Sequence, residues 1–375
     1  APDPEALAAL VADAVRLRLR SDAPTVSLMS GGLDSALITG LAAGDDEPRA
    51  RFAGAFTYGY DAAGAAYDET ARAAGLLARI APGLPHIVYR ASPAPDVAIL
   101  RQAAAAQQEP FSTPSLAAHL RAYAELGRRQ VKVVLTGEGA DELFGGYIGQ
   151  RLGGLARDAL RGGRCGDALR LLRSPYVNWG GVANRLVWDL PSMGVTALLR
   201  RFRPHIAMIA PDFWRAHADR FDRIRSLQRL SVADRLRADV LTFNLPQILR
   251  YTDRNSMAVG VEARSPFLDW RVVEHALRLP VSAKLGPMGG KLALRRAFAD
   301  RFPADLIQPQ KALGFGHAEQ FAALNGLPPL PAEAAAYLDL DRFATLTAPG
   351  ARPHPLTWLP VSLGLWLRGL GSGEG

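Results

Sequence analysis

Apolar positions along this chain recur with two periods, and the change from one to the other divides it. From Asp3 to Arg20 the residues Leu7, Leu10, Val11, Ala14 and Val15 return at helical spacing, with Asp3 placed to cap the helix and Pro4 suited to its first turn. Short apolar runs then alternate with helical stretches. Strands are expected at 25–30 (TVSLMS), 51–58 (RFAGAFTY), 86–89 (HIVY) and 131–137 (VKVVLTG), and helices at 33–43, 67–79, 96–108 and 116–126. This alternation predicts an α/β fold with a mostly parallel sheet covered by helices. In such a sheet the ligand sits beyond the carboxyl ends of the strands, where the strand order reverses.

Beyond Tyr147 the strand pattern fades. Arginine-rich helical stretches run to about residue 237, and helical periodicity returns in SVADRLRADVLTFNLPQILRY. The division expected is an α/β core over 1–150, a mainly helical part over 151–318 packed across its mouth, and an Ala/Pro/Leu-rich tail over 319–375. Within that tail APGARPHP (348–355) reads as a loop, and LWLRGLGSGEG (365–375) is expected to end in disorder. No repeat occurs at solenoid spacing.

Composition narrows the function classes only modestly. Of 375 residues 49% are hydrophobic and 21% charged, an ordinary globular balance. The formal net charge of +8 suits a polyphosphate or acidic substrate as well as a nucleic acid. Aromatics do not interleave with the arginines as a base-stacking platform would require, so a nucleic-acid partner is not expected. Cys165 is the one cysteine, which excludes an internal disulfide and a cysteine-rich metal site and fits a reducing compartment, so the expected location is cytoplasmic. Cys165 itself lies in the polar stretch RGGRCGDAL and reads as an incidental surface thiol. The seven histidines show no metal-ligand spacing. No signal-peptide pattern opens the sequence, no apolar run approaches the ~20 residues of a membrane span, and no membrane partner is expected.

Two stretches carry candidate chemistry. SGGLDS (30–35) ends the first expected strand and opens a helix. Its glycines permit a sharp turn, and the backbone N–H groups of that turn and of the helix start make an anion site, to which Ser30 and Ser35 add hydroxyls. Asp34 would repel phosphate unless a metal bridged them, which points to Mg²⁺ with a polyphosphate. The loop is neither a Walker A sequence nor a dinucleotide fingerprint. GEGADELFGGY (137–147) follows the expected strand 131–137 and places Glu138, Asp141 and Glu142 at its carboxyl end, where a metal or a cationic group would offset their repulsion. If the two strands are neighbours, Asp34 and Asp141 share one Mg²⁺ site. Lys311 precedes the apolar ALGFG and is expected to point into a cleft. Lys291 reads as the start of a basic amphipathic helix, and Glu262 with Arg264 as a structural ion pair.

SGGLDS resembles the pyrophosphate-binding loop of the adenine-nucleotide alpha-hydrolase-like enzymes, with their Rossmann-like fold. GEGADELFGGY is similar to the synthetase (ATP-pyrophosphatase) domain of glutamine-dependent asparagine synthetases. LRYTDRNSMAVGVEARSPFLD (249–269), GGKLALRRAF (289–298) and LIQPQKALGF (306–315) resemble three further segments of that domain, so the likeness covers almost the whole chain to Gly316. It implies an ATP-dependent ligase that adenylates a carboxylate, then transfers the acyl group to ammonia or another amine with release of AMP and pyrophosphate. ATP and Mg²⁺ are the implied cofactors. By the same resemblance Ser30, Gly31, Gly32, Asp34 and Ser35 hold the pyrophosphate end of ATP, and Phe56 and Gly137 lie near the nucleotide. Asp34 and Asp141 bind the metal, Glu138 helps deprotonate the amine, and Lys311 stabilises phosphate charge and the tetrahedral intermediate. Arg264 and Asp269 shape and brace the site.

The chain departs from that pattern in two places. The glutaminase domain begins with a nucleophilic cysteine, whereas residue 1 of this sequence is Ala, and glutamine hydrolysis in that manner is not expected of these residues. Ammonia is then expected from solution, from a missing part of the protein or from a separate donor-supplying protein, or the donor is another amine. Where the family often carries an acidic residue before Glu-Pro, this chain has Gln108, so the acid is expected to differ from aspartate and to be a small molecule or a peptide. Relatives close beta-lactam rings or lasso-peptide macrolactams by the same adenylation. The beta-lactam enzymes replace the glutamate that Glu138 matches, and its retention here leaves macrolactam formation and intermolecular amide formation open. Two other readings are a nucleotide-binding module without chemistry, disfavoured by Glu138, Asp141 and Lys311, and a tRNA-modifying relative.

Overall fold

The computed structural model describes residues 3–44, 52–61, 68–92, 96–180, 207–308, 329–348 and 357–371. The first helix, α1 (Pro4–Arg18), buries Leu7, Ala8, Val11, Ala14 and Val15, and the Asp3 carboxylate accepts from the N–H groups of Glu5 at 3.0 Å and Ala6 at 3.2 Å. These are the face and the cap expected from the apolar spacing.

The strands β1 (Thr25–Leu28), β2 (Phe52–Tyr60), β3 (His86–Ala91), β4 (Val133–Leu135) and β5 (Glu262–Arg264) form one sheet in the order β3-β2-β1-β4-β5, with every pairing parallel. The helices α2 (Leu33–Gly44), α3 (Thr70–Ile80), α4 (Val97–Gln107) and α5 (Ser115–Arg128) connect the first four strands. The fold is the expected parallel sheet wrapped by helices and followed by a mainly helical region. The order reverses at β1: the chain moves outward through β2 and β3, then returns to place β4 on the other side of β1. A crevice opens beyond the carboxyl ends of β1 and β4 at that reversal.

The second half was expected to be helical, yet it supplies the edge strand β5. Glu262, Ala263 and Arg264 have no apolar alternation to announce a strand. Their pairing with Val133, Val134 and Leu135 is what extends them. Arg264 also donates to the carbonyls of Arg18 and Arg20, each at 2.8 Å, tying this edge to the end of α1.

One face of the sheet carries a core built from α1, α2 and α3 with Phe144, Phe267 and Phe298, and the other packs Val26, Phe56, Tyr123, Val134 and Val261 together. The tail contributes a helix over Trp358–Gly371 whose Trp358, Val361 and Leu365 pack with Leu100, Phe111 and Leu116. The Trp358 indole donates to the Phe111 carbonyl at 2.9 Å. The loop expected at 348–355, apart from its first residue, and the chain end at 372–375 lie outside the described residues, as does Lys311.

Candidate active site

The two motif loops meet because β1 and β4 are neighbours. Val26 pairs with Val134 and Ser27 with Leu135, so SGGLDS and GEGADE leave the sheet side by side. Gly137 makes the approach feasible. A Cβ there would stand 3.0 Å from the Asp34 Cβ, closer than ordinary contact, so a side chain at 137 would push the two loops apart. The turn after β1 is closed by Ser35, whose hydroxyl accepts from the Ser30 N–H at 3.2 Å and donates to the Gly32 carbonyl at 3.2 Å. Asp34 thereby stands in the first turn of α2, and Asp141 in the first turn of α6 (Ala140–Phe144).

Both carboxylates converge on one cation, the Lys291 ammonium. Its Nζ lies 2.5 Å from Asp34 Oδ2 and 2.6 Å from Asp141 Oδ1. Lys291 reaches them from the far half of the chain, from a left-handed backbone position at φ 57° just ahead of the helix Leu292–Ala297. A non-glycine residue there is strained, and the two ion pairs hold it. Burial pushes the Asp34 carboxyl up, and the Lys291 charge offsets only part of that. Burial would pull the Lys291 ammonium down, but the two carboxylates outweigh it and hold its proton more tightly than usual. Asp34 Oδ1 is buried and has no hydrogen-bond partner.

Asp34 and Asp141 also border a cavity of about 340 Å³, with Ser30, Gly32, Ser35, Phe56, Gly137 and Glu138 in its wall. Eight of the residues expected at the site are thus gathered at one opening. Phe56, 1% exposed, forms part of the apolar wall, whereas a Cβ on Gly31 would meet the Arg72 side chain on α3 at 3.3 Å, and Gly31 does not line the cavity. Glu138 is one of the lining residues. Thr252 donates to its Oε1, while Oε2 is buried and makes no hydrogen bond among the described residues. Burial, with the Glu142 charge adding to it, pushes the Glu138 carboxyl up to about 7 against the pull of the Thr252 hydroxyl. A carboxylate so tuned is balanced between its two protonation states at neutral pH, as a proton acceptor requires.

The structure adds roles that the sequence reading did not assign to Thr252, His119 and Lys291, and gives Glu142, read there only as one member of an acidic turn, its partners. Thr252 comes from the helix Asn244–Met257 and meets Glu138 only through tertiary packing. Glu142 accepts from the Tyr147 hydroxyl at 3.2 Å and from the Asn244 amide at 2.6 Å, which fixes its orientation. His119, in the cavity wall, is pushed down to about 4 by burial and is therefore neutral at pH 7. Lys291 was read as a surface helix start. The pair of glycines before it, which lets the chain approach Phe144 closely enough for the Lys291 N–H to bond the Phe144 carbonyl at 3.1 Å, was the available signal.

Arg264 and Asp269 do not line the cavity. Arg264 pairs with Glu262 at 2.8 Å, the ion pair expected, and Asp269 is held by Arg18 and Arg271, the latter at 2.9 Å. These arginines keep the Asp269 carboxyl well below the usual range. Gln108 accepts from Arg254 at 2.8 Å and does not line the cavity. Cys165 is exposed. Among the described residues no cluster of three or more metal-ligating side chains occurs, and no helix is long and apolar enough to cross a membrane.

The asparagine synthase family profile matches residues 6–366. The chain belongs to the asparagine synthase family. A putative glutamine-hydrolyzing asparagine synthetase of Mycobacterium tuberculosis is 31% identical over 330 residues, covering 82% of this chain and 47% of the relative, and that of Mycobacterium bovis matches equally. Glutamine-hydrolyzing asparagine synthetase 1 of Bacillus subtilis is 26% identical over 324 residues, covering 81% and 48%. The chain thus spans about half the length of these curated relatives.

Proposed function

We propose that this chain is an AMP-forming carbon–nitrogen ligase: it adenylates a carboxylic acid with ATP and passes the acyl group to an amine, giving an amide, AMP and pyrophosphate. The observation that carries the reading is the convergence of Asp34 and Asp141, from two loops at the sheet reversal, on one cation position beside the proton-accepting Glu138. Both carboxylates already share one positive charge, and Asp34 keeps an unpartnered buried oxygen, so the pair fits a divalent cation. Bound there, Mg²⁺ would neutralise polyphosphate charge and stabilise the departing pyrophosphate.

The chain's own residues supply the remaining roles. Ser30, Gly32 and Ser35 line the path to the start of α2 and donate to phosphate oxygens. Phe56 and Gly137 border the nucleotide, and Gly31 shapes the turn. Lys291 contributes a fixed positive charge beside Asp34, and Lys311 is assigned a second one at the phosphates. Glu138 Oε2 accepts the proton released as the amine nitrogen bonds to the acyl carbon, and its buried position excludes water from that step.

The test is acid-dependent exchange of labelled pyrophosphate into ATP, run over a panel of amino acids, larger carboxylic acids and linear peptides. Exchange with at least one acid is expected, falling about a hundredfold or more in Asp34→Asn and Asp141→Asn. No exchange with any acid, or full exchange in both variants, overturns the reading. Ammonium as acceptor shows as a new amide, and ring closure as loss of one water from a single peptide.

A further inference from the structure

A second buried lysine, Lys284, precedes Leu285, which packs on Gly145 at the end of α6. Lys284 ends the one-turn helix Val281–Lys284, is 4% exposed, and makes no hydrogen bond or ion pair among the described residues. A buried ammonium without a counter-charge is costly and is rarely retained without a partner. Its surroundings deepen the cost. Arg237, from the helix Val232–Leu241, lies near enough to repel it. The two face a common cavity of about 650 Å³, which shares no residue with the cavity bordered by Asp34 and Glu138.

The walls of this second cavity identify what would relieve the charge. Leu236, Leu241, Leu277, Leu279 and Val281 supply apolar surface. Arg278 and Glu274 also line it and pair with each other at 3.2 Å, so among the described lining residues the carboxylate is already engaged. Lys284 and Arg237 thus face a space of mixed polar and apolar lining that offers them no unpaired carboxylate among the described residues. We infer that this cavity is a binding site for an aliphatic monocarboxylate, with the carboxylate between Lys284 and Arg237 and the hydrocarbon chain against the leucines. The carboxylate would accept charge-assisted hydrogen bonds from both cations, and its chain would bury apolar area. Because Leu285, next to Lys284, packs on Gly145 at the end of α6, the site adjoins the segment that carries Asp141. The inference stands on these residues and does not depend on the amide-forming reading.

Isothermal titration of the whole chain with sodium octanoate tests it, at pH 8 in two buffers of different ionisation enthalpy, with octan-1-ol as the neutral control. Burial and Arg237 hold the Lys284 ammonium down at about 8. A bound carboxylate favours the charged form, so binding at pH 8 should take up close to half a proton. Octanoate should bind at least about tenfold more tightly than octanol, and Lys284→Met should lose about tenfold in affinity together with the proton uptake. Arg237→Gln, at an exposed position, serves as a second variant that leaves the fold alone and should weaken binding in the same direction. Absence of octanoate binding at millimolar concentration, binding unchanged in both variants, or octanol binding as tightly as octanoate overturns the proposal.

Discussion

Lys284 and Lys291 belong to one short stretch of chain, and both are largely buried, yet their surroundings are opposite. Lys291 is clasped by two carboxylates from different loops, which hold its proton more tightly than water would. Lys284 meets no carboxylate among its described partners and faces another cation, so burial wins and its pKa falls to about 8. The same residue type is therefore a structural counter-ion in one place and an uncompensated charge in the other. Burial alone does not say which; the charges within hydrogen-bond reach decide it.

The largest effect should come from removing the compensated charge. Lys291→Met leaves Asp34 and Asp141 facing each other without their cation, and should destabilise the chain by about 3–5 kcal/mol. Millimolar Mg²⁺ should then restore part of the loss in thermal melts, and more than it raises the wild type, because the vacated position suits a cation. A melt indifferent to both the substitution and Mg²⁺ would break the assignment of Lys291 as the counter-ion.

Removing the uncompensated charge should act in the opposite direction. Lys284→Met is expected to stabilise the chain by about 2 kcal/mol at pH 7. The folded-state pKa of about 8 lies below the ordinary lysine value of 10.5, so the unfolded chain binds more protons between those two pH values. The Lys284 contribution to stability must therefore rise with pH across that window, and chemical denaturation of Lys284→Met should lack this rise. A variant less stable than the parent, with the pH dependence unchanged, would show that the ammonium has a counter-charge after all.

The smallest effect sharpens the chemistry beside Lys291. Thr252 donates to Glu138 and favours its ionised form, so Thr252→Val should raise the Glu138 pKa above about 7. The acid limb of the kcat/KM profile for amide formation should move to higher pH by about one unit. A limb that stays in place would remove Glu138 from the role of proton acceptor.

Much of the architecture could be read in advance. The face and cap of α1, the first four strands and the glycine turn before Asp34 are local patterns, because each depends on residues a few positions apart. Lys291 and Thr252 were beyond such reading, since each meets its partner across more than a hundred residues and carries no local mark of it. β5 escaped for a related reason: Glu262, Ala263 and Arg264 become a strand only when β4 offers them an edge.

By itself the sequence determined the parallel α/β class, the two loops that bear Asp34, Glu138 and Asp141, and membership of a ligase family, because backbone propensity and motif spacing are properties of neighbouring residues. Tertiary structure alone decided that a lysine from the far half neutralises both aspartates, that Thr252 tunes Glu138, and that Lys284 has no partner among the described residues. Electrostatic energies depend on distance through space and on exclusion of water, and neither quantity exists until the chain has folded.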